Sequence, residues 1–121
     1  MPKRTAEVDW NAVRDEIRQI LIQVAKARRV ITYSELTAML QTAYIHYHSH
    51  VLVQLLIDIG SEEVQAGRGI LPALVVTKQT GLPGAGFFKI ANERGYDLSD
   101  PATFWREAVE KVYEQWSDGN S

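Results

Sequence analysis

A chain of 121 residues, 45% hydrophobic and 23% charged, has apolar material for one folded core but not two, and is too apolar to stay disordered. It has no cysteine, which excludes disulfides, thiolate nucleophiles and Cys-ligated zinc. The formal net charge of -2 argues against a strongly basic nucleic-acid binder, but residues 1–25 balance, 26–94 carry +2 and 95–121 carry -4, so the middle of the chain can present a basic face.

No apolar stretch follows Lys3 and Arg4, and no run approaches the ~20 apolar residues of a membrane span. The expectation is a cytoplasmic protein with no membrane partner, a single domain over 1–121 whose ends, 1–8 and 117–121, fray. Asp9 is a good N-cap, and Val13, Ile17, Ile20, Leu21 and Val24 follow at helical spacing, predicting a helix from about Trp10 to Ala27. Val30-Ile31 is a short β-branched run. Thr32 with Glu35 forms a capping box, in which each side chain satisfies a backbone N–H at the helix start. A short helix, Tyr33 to about Leu40, then buries Leu36, Met39 and Leu40.

Residues 42–50 read equally as loop, strand or helix start. A third helix begins near Ser49 on the stripe Leu52, Leu55, Leu56, Ile59 and stops at Gly67-Arg68-Gly69. Ile70–Thr77 reads as a buried strand, Gly81–Gly86 as a turn-rich loop and Phe87–Ala91 as a second strand, together a β-hairpin with a long tip over 78–86. Asp100-Pro101 starts a last helix. Its wide apolar face holds Phe104, Trp105, Ala108, Val109, Val112, Tyr113 and Trp116. The fold class is α+β: about four helices with a β-hairpin, arranged like a small winged helix-turn-helix.

Four features bear on chemistry. His46, His48 and His50 share one side of an extended segment, while on a helix His46 and His50 share a face. They read as a metal site, as phosphate contacts together with Tyr47, or as ordinary surface histidines. The loop from Lys78 to Gly86 lacks the Gly-Lys-Ser/Thr ending and following helix of a nucleotide-binding loop. It is a glycine-rich tip or a wing that places Lys78, Gln79 and Thr80 near a phosphate backbone. Arg28 and Arg29 follow a helix end, where cations are favourable in any case, and also suit phosphates. The aromatic last helix is core, or in part a partner or homodimer surface at Trp105, Tyr113 and Trp116.

The carboxylate pairs Asp15-Glu16 and Glu62-Glu63 fall on helix faces expected to be exposed. Ser34 and Ser49 have no evident base. No enzyme, cofactor or metal is therefore expected.

The segment Val30-Ile31-Thr32-Tyr33-Ser34-Glu35-Leu36 resembles the V-T-Y-G-E-L start of the helix-turn-helix in the O6-alkylguanine-DNA alkyltransferases and their alkyltransferase-like relatives. Pro72-Ala73-Leu74-Val75-Val76 stands at that family's Pro-Cys-His-Arg-Val motif, and Gly84-Ala85-Gly86-Phe87 at its Gly-Gly-Phe. Ala73 replaces the alkyl-accepting Cys, and Leu74 and Val75 replace the His and Arg of the motif, which excludes alkyl transfer. The family's base-displacing Arg has no match here; that region offers His48, Ser49 and His50. The resemblance covers about half of the chain and implies a non-catalytic winged-helix module on double-stranded DNA, with Tyr33 as a backbone or base contact. The candidate contacts are then Arg28, Arg29, Tyr33, Ser34, His46, Tyr47, His48, His50, Lys78, Gln79 and Thr80. The alternative is a protein-interaction module using the last helix.

Overall fold

The computed structural model describes residues 8–117, so the expected fraying of the ends falls almost wholly outside the described residues. In chain order the elements are α1 (Trp10–Lys26), β1 (Ile31–Thr32), α2 (Tyr33–Met39), α3 (His50–Gln65), a 3₁₀ turn (Leu71–Leu74), β2 (Val75–Val76), α4 (Ala85–Glu93) and α5 (Pro101–Gln115). The class is α+β and mostly helical.

Local sequence accounts for most of the helix starts. The Asp9 carboxylate accepts the Asn11 and Ala12 amides at 3.1 and 3.2 Å. Thr32 and Glu35 form the reciprocal capping box on α2, and Asp100 accepts the Thr103 amide at 3.2 Å above Pro101. α1, α3 and α4 end alike: the residue after the cap turns left-handed and two amides reach back to the last carbonyls. Glycine fills that position at Gly67 and Gly95, but in α1 it is Arg28, with φ 54°. The Arg28 guanidinium lies 5.5 Å from the Tyr113 ring centroid and 3.6 Å from Glu110, contacts that offset the strain a side chain meets there.

The core centres on the 3₁₀ turn. Leu71, Ala73 and Leu74 are fully buried, with α1, α3 and α5 packed around them. Here two expectations are corrected. Ile70–Thr77 is not one long strand: Pro72 sits in the 3₁₀ turn, and only Val75-Val76 extend. Phe87–Ala91 is not a strand but the body of α4, whose Phe87, Ile90 and Ala91 fall at helical spacing and are buried. The hairpin is therefore absent. β2 pairs instead with β1, in parallel, with Ile31 opposite Val75 and Thr32 opposite Val76.

α4 lies on α3 where Gly60 permits close approach, since a Cβ there would collide with the Ile90 side chain. Met39, expected inside, is 52% exposed. Glu63, expected on an open face, is buried. No helix among the described residues is long and apolar enough to cross a membrane.

Candidate nucleic-acid interface

Parallel pairing decides what meets at the surface. β1 and β2 run the same way, so the start of α2 and the loop after Val76 leave the pair at one end. That loop closes on itself. The Thr77 amide donates to the Leu82 carbonyl at 2.9 Å, the Gly81 amide to the Thr77 carbonyl at 2.8 Å, and Val76 bridges Pro83. The Gly84 amide donates to the Tyr33 hydroxyl at 3.0 Å, fastening the loop to α2. A Cβ at Gly84 would strike that hydroxyl. Burial pushes the Tyr33 phenol above its ordinary range, and the Gly84 amide opposes this.

The segment between Leu40 and Ser49 forms the third wall. The Glu16 carboxylate accepts the Gln41 amide at 2.9 Å, the Thr42 amide at 3.0 Å and the Thr42 hydroxyl at 2.7 Å. Ile45 is buried, and the Ser49 amide donates to the His46 carbonyl at 2.9 Å. The Thr42 hydroxyl bond chiefly holds the Glu16 carboxyl below its usual range; its slight desolvation opposes this, and the two amides add to the lowering.

Between these walls lies a cleft of about 330 Å³. Tyr33 and Ser34 line it from α2, Tyr47 and His48 from the pinned segment, and Lys78 and Gln79 from the loop. Six predicted site residues, distant in sequence, thus share one surface. No carboxylate lines it. Glu35 lies nearby: the Thr32 amide and hydroxyl hold its carboxyl below the usual range, and the charges of Arg29 and Lys78 add to this. Polar donors without an acceptor charge suit an anion better than a cation.

The other predicted residues fall elsewhere. Arg28 faces α5. Arg29 lines a larger apolar groove of about 680 Å³ between α1 and α2, with Ile20, Val24, Val30 and Met39. Thr80 is bonded within its loop. His50 is exposed at the start of α3. His46 adjoins the cleft through ring contacts with Tyr47 and His48. Among the described residues no group of three or more His, Asp or Glu side chains is placed to hold a metal.

The α5 aromatics face inward. Trp105 donates its indole N–H to the Ala73 carbonyl at 2.7 Å, Tyr113 donates its hydroxyl to the Arg29 carbonyl at 2.9 Å, and Trp116 packs against the core.

Sequence reasoning missed one polar cluster. Glu63 is 1% exposed and receives Arg18 from α1 together with Arg68, the latter at 2.7 and 3.0 Å. Glu62 pairs with Arg14 at 3.2 Å and also with Arg18. The available signal was position: Glu63 continues the stripe Leu52, Leu56, Ile59 at helical spacing. No protein-family model, curated protein or solved structure matches this chain.

Proposed function

We propose that the protein is a non-catalytic DNA-binding module, winged-helix-like in plan, with the closed loop from Thr77 to Gly84 standing where a hairpin wing would be. The observation that carries this reading is the convergence of Ser34, His48, Lys78 and Gln79 from three separate segments on a cleft without carboxylates. Hydroxyl, imidazole, amide and ammonium groups all donate to phosphate oxygens. The exposed start of α3, with His50, faces the nucleic acid beside them. The acid excess of residues 95–121 lies mostly outside α5, which carries three acidic and two basic residues, and the net charge of -2 keeps affinity modest.

The test is fluorescence anisotropy of a labelled random-sequence duplex at low and at physiological salt. Binding should weaken steeply with salt. Lys78→Ala should weaken it several-fold and lower the salt slope by about one. Absence of binding at low salt to this duplex and to a single strand of the same length would overturn the reading.

The apolar groove favours a second reading, a module that pairs with another copy of itself through α1 and α2 rather than α5. Its rim carries Arg29 and Glu35, opposite charges that a twofold axis lets each copy offer the other. Sedimentation at rising concentration should reveal a dimer that Met39→Lys abolishes. A monomer at every concentration removes this reading.

A further inference from the structure

The cleft mouth carries more aromatic surface than phosphate contact needs. His46, Tyr47 and His48 are consecutive and all exposed, yet their rings gather into one cluster. Centroids lie 4.6 Å apart for His46–Tyr47, 4.3 Å for Tyr47–His48 and 5.5 Å for His46–His48, the first and last pairs at 18° and 26° between planes. Tyr44, on the same segment, is 91% exposed. Rings left in water normally fold back against apolar neighbours or stay independent. These are held together by the backbone beneath them: Glu16 grips Gln41 and Thr42, Ile45 anchors inside, and the His48 amide donates to His46 Nδ1 at 3.1 Å. The cluster is thus a preformed set of π faces whose Tyr47 and His48 also line the cleft that holds Lys78 and Ser34.

We infer that this cluster is a stacking platform for an unpaired nucleobase, and that the cleft binds single-stranded nucleic acid, with the adjoining phosphate on Lys78 and Ser34. The inference rests on the nucleic-acid reading above and narrows its ligand. A duplex offers a protein the edges of its bases, because the faces are covered by neighbouring pairs. Only an unpaired base brings a free face to Tyr47, and every base has one, so recognition is tolerant of sequence.

The experiment uses the full chain and three labelled probes at matched salt: an oligothymidine of about 12 nucleotides, a duplex of equal length, and an abasic strand with the same phosphodiester backbone. The single strand should bind about tenfold tighter than the duplex or the abasic strand, the scale of one stacked base. Tyr47→Ala should remove that advantage, and Tyr47→Phe, which keeps the ring, should retain it. Duplex binding as tight as single-strand binding overturns the inference and leaves the module reading standing. Equal affinity for abasic and natural strands overturns it too, because phosphate alone then accounts for binding. Failure to bind any probe at low salt overturns both. The wild-type comparison among the three probes decides the matter even if Tyr47→Ala does not fold.

Discussion

Two polar assemblies in this molecule are built to opposite ends. On one side Glu63 lies inside the α1–α3 contact, and Arg18 and Arg68 answer it from two directions. On the other, Lys78, Gln79, Tyr47 and His48 stand in water around a cleft, brought together by backbone rather than by one another. The first assembly is closed: its donors and acceptors meet, so its role ends with holding helices. The second is open. Its supports (the Glu16 grip, the Tyr33–Gly84 bond and the turn within the loop) are satisfied, while the outward groups face solvent. Basic residues at a surface thus say little until their partners are known. Arg28, engaged with Tyr113 and Glu110, is as cationic as Lys78 and far less available to a ligand.

The largest effect should come from breaking the closed side. Glu63→Ala leaves Arg18 and Arg68 facing each other without their shared acceptor. It should cost about 3 kcal/mol, the lower end for a broken buried pair because both arginines keep some contact with water. The melting temperature should fall by roughly 10 °C, while the oligothymidine binding proposed for the cleft, measured below the transition, should not change. A loss of less than about 1 kcal/mol would mean the pair is solvated, and the contrast between the two sides would fail. Next comes the scaffold of the open side. Gly84→Ala drives a methyl into the Tyr33 hydroxyl and should cost roughly 1–3 kcal/mol. In a double-mutant cycle Tyr33→Phe should recover only part of this, because the ring carbon behind the hydroxyl remains 3.0 Å from the added Cβ. Strict additivity would show that the loop is not fastened through Tyr33.

The helices and their inward faces were legible in the sequence, whereas the Glu63 cluster of the closed side and the geometry of the open side were not. Helix starts are local: Asp9, Thr32 with Glu35, Ser49 and Asp100-Pro101 each cap the helix their chemistry predicts. The apolar stripes of α1, α3 and α5 likewise show which face turns inward. The misreading came at Ile70–Thr77 and Phe87–Ala91, where apolar residues run almost without a break. A run buried on every side carries no period, and strand and helix are then indistinguishable. Phe87, Ile90 and Ala91 did hold a helical spacing, masked by Phe88 beside them. Once those segments are a 3₁₀ turn and a helix, the partner of Val75-Val76 becomes Ile31-Thr32, a contact between residues 44 apart that no local pattern announces. The convergence of Ser34, His48 and Lys78 follows from that pairing, so the candidate residues could be named from the sequence but their shared cleft could not.

The smallest expected effects are those of pH, and they separate the two sides again. The carboxyls of Glu16 and Glu35 both support the open side, one gripping the Gln41-Thr42 backbone and the other closing the α2 cap, and both are held below the usual range. A carboxyl depressed in the folded state adds stability that is fully present above its unfolded value, about pH 4.5, and is lost as pH falls through the folded value. Mild acid should therefore loosen the cleft walls. Hydrogen exchange at the Gln41 and Thr42 amides, corrected for intrinsic rate, should accelerate there, and Glu16→Gln should reproduce this at neutral pH. Burial raises the phenols of Tyr33 and Tyr113, so the sign reverses. The folded state holds those protons longer than the unfolded one, and stability should decline only as pH climbs past about 10 toward the folded values. Tyr33→Phe should flatten that alkaline decline in urea-midpoint measurements, and Tyr113→Phe should do the same. An alkaline limb unchanged by either substitution would mean that both hydroxyls reach water, and that the Tyr33–Gly84 fastening is open in solution.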